Sequence, residues 1–279
     1  MRCDTHVHIV GSADRYPQVA ERTYLAGPAP LDELKRRGAR HGITRFVIVQ
    51  PSFYGFDNSA TLDALDELAG NGRGVAVIDP STTPDATLAD MHRRGIRGLR
   101  INLYSPLAAD RRMDDSFAAT AAVAKKMNWH IQVVAPLPVL LKSESLLASS
   151  PAPIVIDHYG VYGKARPESE AGTRLLQLLR HPHVWMKLSA PYCLDDGQMR
   201  TKPDSEWVAE LYAAAPPRCL WGSDWPHPPA ADAHRGAANG APYRDLSYDA
   251  LVNDFIAALP SPRLADRIMR DNPARLYGF

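Results

Sequence analysis

Eight short runs of β-branched and aliphatic residues alternate with stretches of helical periodicity, and this constrains the chain more than any other feature. The strand-like runs fall at 2–8, 43–50, 74–79, 97–102, 129–135, 154–157, 184–188 and 219–221. Helical patterns fill 30–41, 58–68, 86–94, 116–127, 137–148, 169–180 and 205–215, with two more at 247–258 and 262–270. Strict alternation predicts a parallel sheet covered by helices. Eight such units over 279 residues predict one (β/α)8 (TIM) barrel spanning 1–279 as a single domain. The alternative is an open doubly wound sheet, but no G-x-G-x-x-G follows the first strand.

A barrel carries its chemistry at the C-terminal ends of its strands. The first strand ends in Asp4-Thr-His-Val-His8. In an extended strand His6 and His8 share a face, with Cα atoms roughly 6.6 Å apart. Imidazoles at that spacing suit one zinc-like ion or one polarised substrate oxygen. The sixth strand ends at Asp157-His158 and the eighth at Ser223-Asp224. Strands one and eight are neighbours on closure, so His6, His8 and Asp224 can meet, with His158 reaching in from across the mouth. Three histidines and a carboxylate at one rim can hold a divalent ion, and the carboxylate can take a proton from a water.

Each of these has a plainer alternative: a turn aspartate for Asp224, a hydrogen-bonded strand-end histidine for His158. Further rim candidates are Ser52, Asn102, Asp79, Tyr159 and His227, with Arg100 and Lys187 as anchors for a substrate carboxylate. For Lys187 the alternative is a buried ion pair. His130 opens its strand and is read as structural, as are His41, His92, His181 and His183. Cys3 and Cys219 are expected to pack together as small apolar groups.

Composition removes other classes. A net charge of +1 gives no electrostatic case for nucleic acid or a membrane surface. The longest apolar stretch, 133–141, is broken by Pro136 and Pro138, so no spanning helix is expected. Three scattered cysteines do not make a disulfide framework, and no secretory signal opens the chain, so a cytoplasmic protein with reduced thiols is expected. No His-Glu-x-x-His, Cys-x-x-Cys, Walker loop or Gly-x-Ser-x-Gly elbow is present.

Asp4-Thr-His-Val-His8, Val49-Gln-Pro-Ser-Phe-Tyr-Gly-Phe-Asp-Asn58, Arg97-Gly-Leu-Arg-Ile-Asn102, Ile156-Asp-His158, Trp221-Gly-Ser-Asp-Trp-Pro-His-Pro228 and Asp271-Asn-Pro-Ala-Arg-Leu-Tyr277 together resemble the amidohydrolase-2 family. The likeness runs from end to end and is strongest to the lactonase branch, which handles pyrone dicarboxylates, sulfomuconolactones and sugar-acid lactones. It implies a (β/α)8 barrel that opens a lactone ring with an activated water. Asp224 matches the general base; His6, His8 and His158 match residues that bind metal or polarise the carbonyl.

With one divalent ion, zinc or manganese, the ligands would be His6, His8, His158 and Asp224; some members of the branch work without metal. The wider superfamily's bridging lysine and extra histidine are missing, since those positions read Arg100-Ile-Asn102 and Gln132-Val-Val134. A two-metal centre of that kind is therefore not expected. After strand seven stands Ala190-Pro-Tyr-Cys-Leu194, without the arginine of the dicarboxylate enzymes. Arg100, with Arg111 or Arg112, would suit one carboxylate. The sequence thus predicts a lactone hydrolase of aromatic or sugar-acid catabolism, monomeric or homo-oligomeric, with a small-molecule partner. The alternatives are decarboxylation of a small aromatic or unsaturated acid, and a non-catalytic ligand-binding barrel.

Overall fold

All eight apolar runs form strands in the computed structural model, which describes residues 1–103, 113–194, 200–229 and 240–279. They are β1 (Arg2–Val7), β2 (Ile43–Val49), β3 (Gly72–Ala76), β4 (Ile96–Asn102), β5 (His130–Val134), β6 (Ile154–Ile156), β7 (Val184–Ser189) and β8 (Cys219–Gly222). Every neighbouring pair is parallel, in the order β1-β2-β3-β4-β5-β6-β7-β8. The two edges then meet: Val7 bridges Trp225, the His8 N–H donates to the Trp225 carbonyl at 2.8 Å, and the Asp224 N–H donates to the His6 carbonyl at 2.8 Å. The predicted (β/α)8 barrel is the fold observed.

The helices α1 (Leu31–Ala39), α2 (Ser59–Glu67), α3 (Asp85–Arg93), α4 (Met113–Met127), α5 (Leu137–Lys142), α6 (Glu144–Ala148), α7 (Glu170–Leu179), α8 (Ser205–Ala214) and α9 (Tyr248–Ala258) surround the sheet. Their apolar stripes explain this. In α7, Leu175, Leu178 and Leu179 are buried against the barrel, at the i, i+3, i+4 spacing of one helix face. Inside the barrel, Cys3, Val47, Val49, Val75, Val155 and Leu220 form a layer sealed by Tyr277. No described helix is long and apolar enough to cross a membrane.

Five local expectations change. β3 starts at Gly72 and stops at Ala76, because Gly72 and Arg73 already pair with Phe46 and Val47. Gly74 sits in a crowded part of the strand: a Cβ there would lie 2.4 Å from Ile96 Cδ1 and 2.8 Å from Leu65 Cδ1. Asp79 therefore falls beyond the strand, where its carboxylate accepts the Ser81 N–H at 2.9 Å instead of reaching the rim. The helix expected over 137–148 divides at Ser143, and the one expected over 262–270 runs on through α10 (Leu264–Asp266), a π-helical turn and α11 (Asn272–Tyr277). Cys3 and Cys219 do not pack together. Cys3 lies in the inner layer, whereas Cys219 faces the helices and its thiol donates to the Ala215 carbonyl at 3.5 Å.

The barrel seam leaves no room at Gly222, where a Cβ would stand 2.6 Å from His6 Cβ and 2.8 Å from His6 N. Gly222→Ala should push β8 away from β1 and cost about 1–3 kcal/mol of stability, read from the urea midpoint.

Candidate active site

The rim is assembled where β1, β6, β7 and β8 end. β1 is not a regular strand: its register with β2 shifts between Asp4 and Val7. The fully buried Asp4 carboxylate accepts the Ser223 N–H at 2.9 Å, the His6 N–H at 3.2 Å and the Tyr248 hydroxyl at 2.9 Å. This ties β1 to β8 and α9 and leaves His6 and His8 on the inner face, their rings 5.2 Å apart edge to face. Past β6 and β8 the backbone turns sharply: His158 has φ 53°, Tyr159 φ 55° and Asp224 φ 57°. These left-handed conformations are uncommon for residues other than glycine. They bring the His158 ring to 4.8 Å from that of His6.

Three donor atoms face one another. Asp224 Oδ1 is 3.2 Å from His8 Nε2 and 3.4 Å from His6 Nε2. The His8 Nδ1–H donates to the Val49 carbonyl at 2.7 Å; a carbonyl only accepts, so Nδ1 carries a hydrogen and Nε2 is the nitrogen turned to Asp224. His6 Nδ1 lies 3.3 Å from Asp157 Oδ1. Burial drives the His6 pKa down to about 3, against the pull of Asp157, and so keeps the ring neutral. His6 Nε2 and Asp224 Oδ1 are both buried without a hydrogen-bond partner. Two imidazole nitrogens and a buried carboxylate oxygen form a donor set that fits one divalent cation. His158 is not in this set: it groups with His6 and Asp157 on one side and with Cys193 and Asp224 on the other, and its Nδ1 is 2.9 Å from Ser189 Oγ.

Beneath the histidines runs a buried polar chain that individual residue types did not reveal. Lys187 Nζ donates to Gln132 Oε1 at 2.7 Å, Gln132 Nε2 donates to Asp157 Oδ2 at 2.9 Å, and Lys187 lies 3.8 Å from Asp157 Oδ1. Burial lowers the Lys187 pKa to about 8, with Asp157 opposing that shift. Of the two readings open for Lys187, substrate anchor or buried ion pair, the structure has the second: the side chain is wholly enclosed and pairs with Asp157.

Arg100 Nη1 donates to the Gln50 carbonyl at 2.9 Å, and its guanidinium feels the charges of Asp157 and Asp224. Its buried Nε has no partner. Ser52 opens the 3-10 turn after β2, and Asn102 ends β4; both are half-buried. Arg111 lies outside the described residues, as does Arg112. Tyr159, expected at the substrate, is a core residue: the left-handed turn directs its ring toward Tyr162, which stacks on Trp207 of α8 at 4.5 Å. His227 is buried beside the site, its N–H donating to the Asp224 carbonyl at 2.7 Å, and burial lowers its pKa to about 4. Tyr192 matters more than its loop position suggested, since its hydroxyl donates to Asp224 Oδ2 at 2.7 Å under the Arg244 guanidinium. The remaining histidines are structural where they are paired: His41 meets Asp249 at 2.8 Å, and His92 Nδ1 accepts the Trp129 Nε1–H at 3.0 Å.

A (β/α)8 barrel with a His-x-His on β1, a histidine after β6 and an aspartate after β8 defines a class of barrel with its polar groups gathered at the rim, where they could hold a cation. Residues 3–279 match the family described as Amidohydrolase, and the chain belongs to that family. It is 30% identical to a 2-pyrone-4,6-dicarboxylate hydrolase of Comamonas testosteroni, over 98% of this chain and 89% of that one. It is 31% identical to a 4-sulfomuconolactone hydrolase of Rhizobium radiobacter, over 99% of this chain and 89% of the relative. A solved Agrobacterium tumefaciens structure superposes with a TM-score of 0.84, covering 100% of this chain and 96% of that chain at 22% identity, and shares the fold.

Removing Lys187 leaves the Asp157 charge unpaired at the centre of the barrel. Lys187→Met should cost about 3–5 kcal/mol of stability, measured by chemical denaturation, whereas Lys35→Met on the surface should change it by less than about 1 kcal/mol.

Proposed function

We propose that this chain hydrolyses lactone rings. The observation that carries the reading is the unpartnered Asp224 Oδ1, held 3.2 Å and 3.4 Å from two histidine nitrogens at the barrel mouth. Relatives at 30% and 31% identity over nearly the whole chain are hydrolases of a pyrone dicarboxylate and a sulfomuconolactone, which supports it.

Asp224 accepts a proton from the attacking water, whose oxygen bonds to the lactone carbonyl carbon. Tyr192 steadies Asp224 through Oδ2, leaving Oδ1 for the water. His158, with Nδ1 engaged by Ser189, directs Nε2 at the oxygen where charge develops. The ring C–O bond then breaks, and the proton held by Asp224 passes to the leaving ring oxygen, giving a hydroxy acid. His6, His8 and Asp224 would hold a divalent ion, zinc or manganese; such an ion acidifies water and polarises a carbonyl when bound. Arg100 binds a carboxylate on the substrate, with Ser52, Asn102 and His227 around the ring.

A panel of pyrone, muconolactone and aldonolactone substrates, assayed before and after chelation, tests this reading. Asp224→Asn should lower kcat about 10²- to 10⁴-fold in a folded protein. Retained turnover would remove Asp224 as base, and carbon dioxide release without ring opening would replace hydrolysis by decarboxylation. Arg100→Met should raise KM roughly tenfold or more for lactones that carry a carboxylate and leave neutral lactones nearly unchanged.

A further inference from the structure

One group at the mouth has no part in this chemistry. Cys193 ends the 3-10 turn Pro191–Cys193 after β7 and is half-buried. One donor atom each from Cys193, His158 and Asp224 lie within 4.8 Å of one another. Because His158 Nδ1 is taken by Ser189 at 2.9 Å, Nε2 is the nitrogen left for a ligand. The three arrive on separate strand ends, β6, β7 and β8, so their meeting is a property of the closed barrel and not of local sequence.

We propose that Cys193, His158 and Asp224 form a second cation site, selective for soft or borderline divalent ions such as cadmium and zinc, whose occupation inhibits the enzyme. A sulfur donor beside an imidazole and a carboxylate favours such ions over magnesium or calcium. Bond lengths of about 2.0–2.3 Å place tetrahedral ligand atoms roughly 3.2–3.7 Å apart. The present spacing closes to that range by a shift of about 1 Å or less per side chain, and the half-buried thiol sits at the end of a short turn that can supply it. The site shares Asp224 with the His6–His8 donor set but none of its histidines. Its donors also differ from the bridging-lysine arrangement that the sequence argues against. Inhibition rests on the lactonase reading, since an ion here ties up the proposed base and the His158 nitrogen that faces the oxyanion; binding does not.

The test uses the full chain, stripped with a chelator and titrated with cadmium. Cys3 and Cys219 are buried, so a thiolate–cadmium charge-transfer band in the ultraviolet reports on Cys193. The band should saturate with one thiolate-bound cadmium per chain and be missing in Cys193→Ser and Cys193→Ala. Magnesium should neither produce nor compete with it. Both variants should keep the basal kcat and need at least about tenfold more zinc for half-inhibition. A wild type without the band, a band that persists in both variants, or equal zinc sensitivity in all three proteins would overturn the site. If no lactone is turned over, the band and its stoichiometry still decide the binding claim, and only the lactonase reading falls.

Discussion

Everything at the mouth depends on the seam between β1 and β8. An open sheet would leave His6 and His8 on one edge and Asp224 on the other. Two backbone hydrogen bonds, His8 N–H to Trp225 O and Asp224 N–H to His6 O, each 2.8 Å, join those edges at the very residues that form the donor set. Asp4 reinforces the seam from outside the barrel with three hydrogen bonds, to β1, β8 and α9. Burial raises its pKa to about 6, against the effect of those bonds. Fold closure and site assembly are therefore one event, which is why a single methyl group at Gly222 bears on both.

The seam places the histidines, and the charged interior then keeps them in a useful state. Burial alone disfavours an imidazolium, so His6 stays neutral and can act as a ligand. Burial would also favour a neutral Asp157, yet its contact with the His6 ring and the charge of Lys187 hold that carboxyl well below the ordinary carboxylate range. Asp157 thus stays an anion at 3.3 Å from His6 Nδ1, which leaves Nε2 to face Asp224. Desolvating a lysine and an aspartate is expensive. Gln132 offsets part of that cost by bonding both, at 2.7 Å and 2.9 Å.

Much of this was legible from residue types and much was not, for physical reasons. Strands whose faces are both buried must be apolar, so 43–50 and 154–157 declare themselves, and strand order then makes the rim a short list. His6, His8, His158 and Asp224 stand on that list, and the structure places the other three around His6. β3 begins two residues ahead of the apolar run 74–79 because Gly72 and Arg73 carry no apolar side chain to mark them; the crowding of Leu68 and Ile96 explains why glycines belong in that strand. Lys187 was open to two readings because an ion pair inside a barrel and a substrate anchor use the same residue in the same strand. Tyr159 and Tyr192 were indistinguishable as loop tyrosines. One points into the helix layer and the other bonds Asp224, a difference set by backbone torsions that no periodicity encodes.

Those torsions are the last requirement of the site. His158, Tyr159, Val161, Ala190, Asp224 and His227 all have positive φ, between 44° and 70°, and all lie where β6, β7 and β8 end. Such conformations cost on the order of 1–3 kcal/mol each and persist only where surrounding contacts fix them. Here each turn is closed by its own backbone bond: Val161 N–H to His158 O at 2.8 Å, Cys193 N–H to Ala190 O at 2.9 Å, and His227 N–H to Asp224 O at 2.7 Å. Three turns of one kind on three consecutive strands fold the chain back over the mouth and aim His158, Cys193 and Asp224 at a common point. The polar convergence is thus bought with backbone strain, and it is the rigid sheet beneath, valine-packed and closed at the seam, that can sustain it.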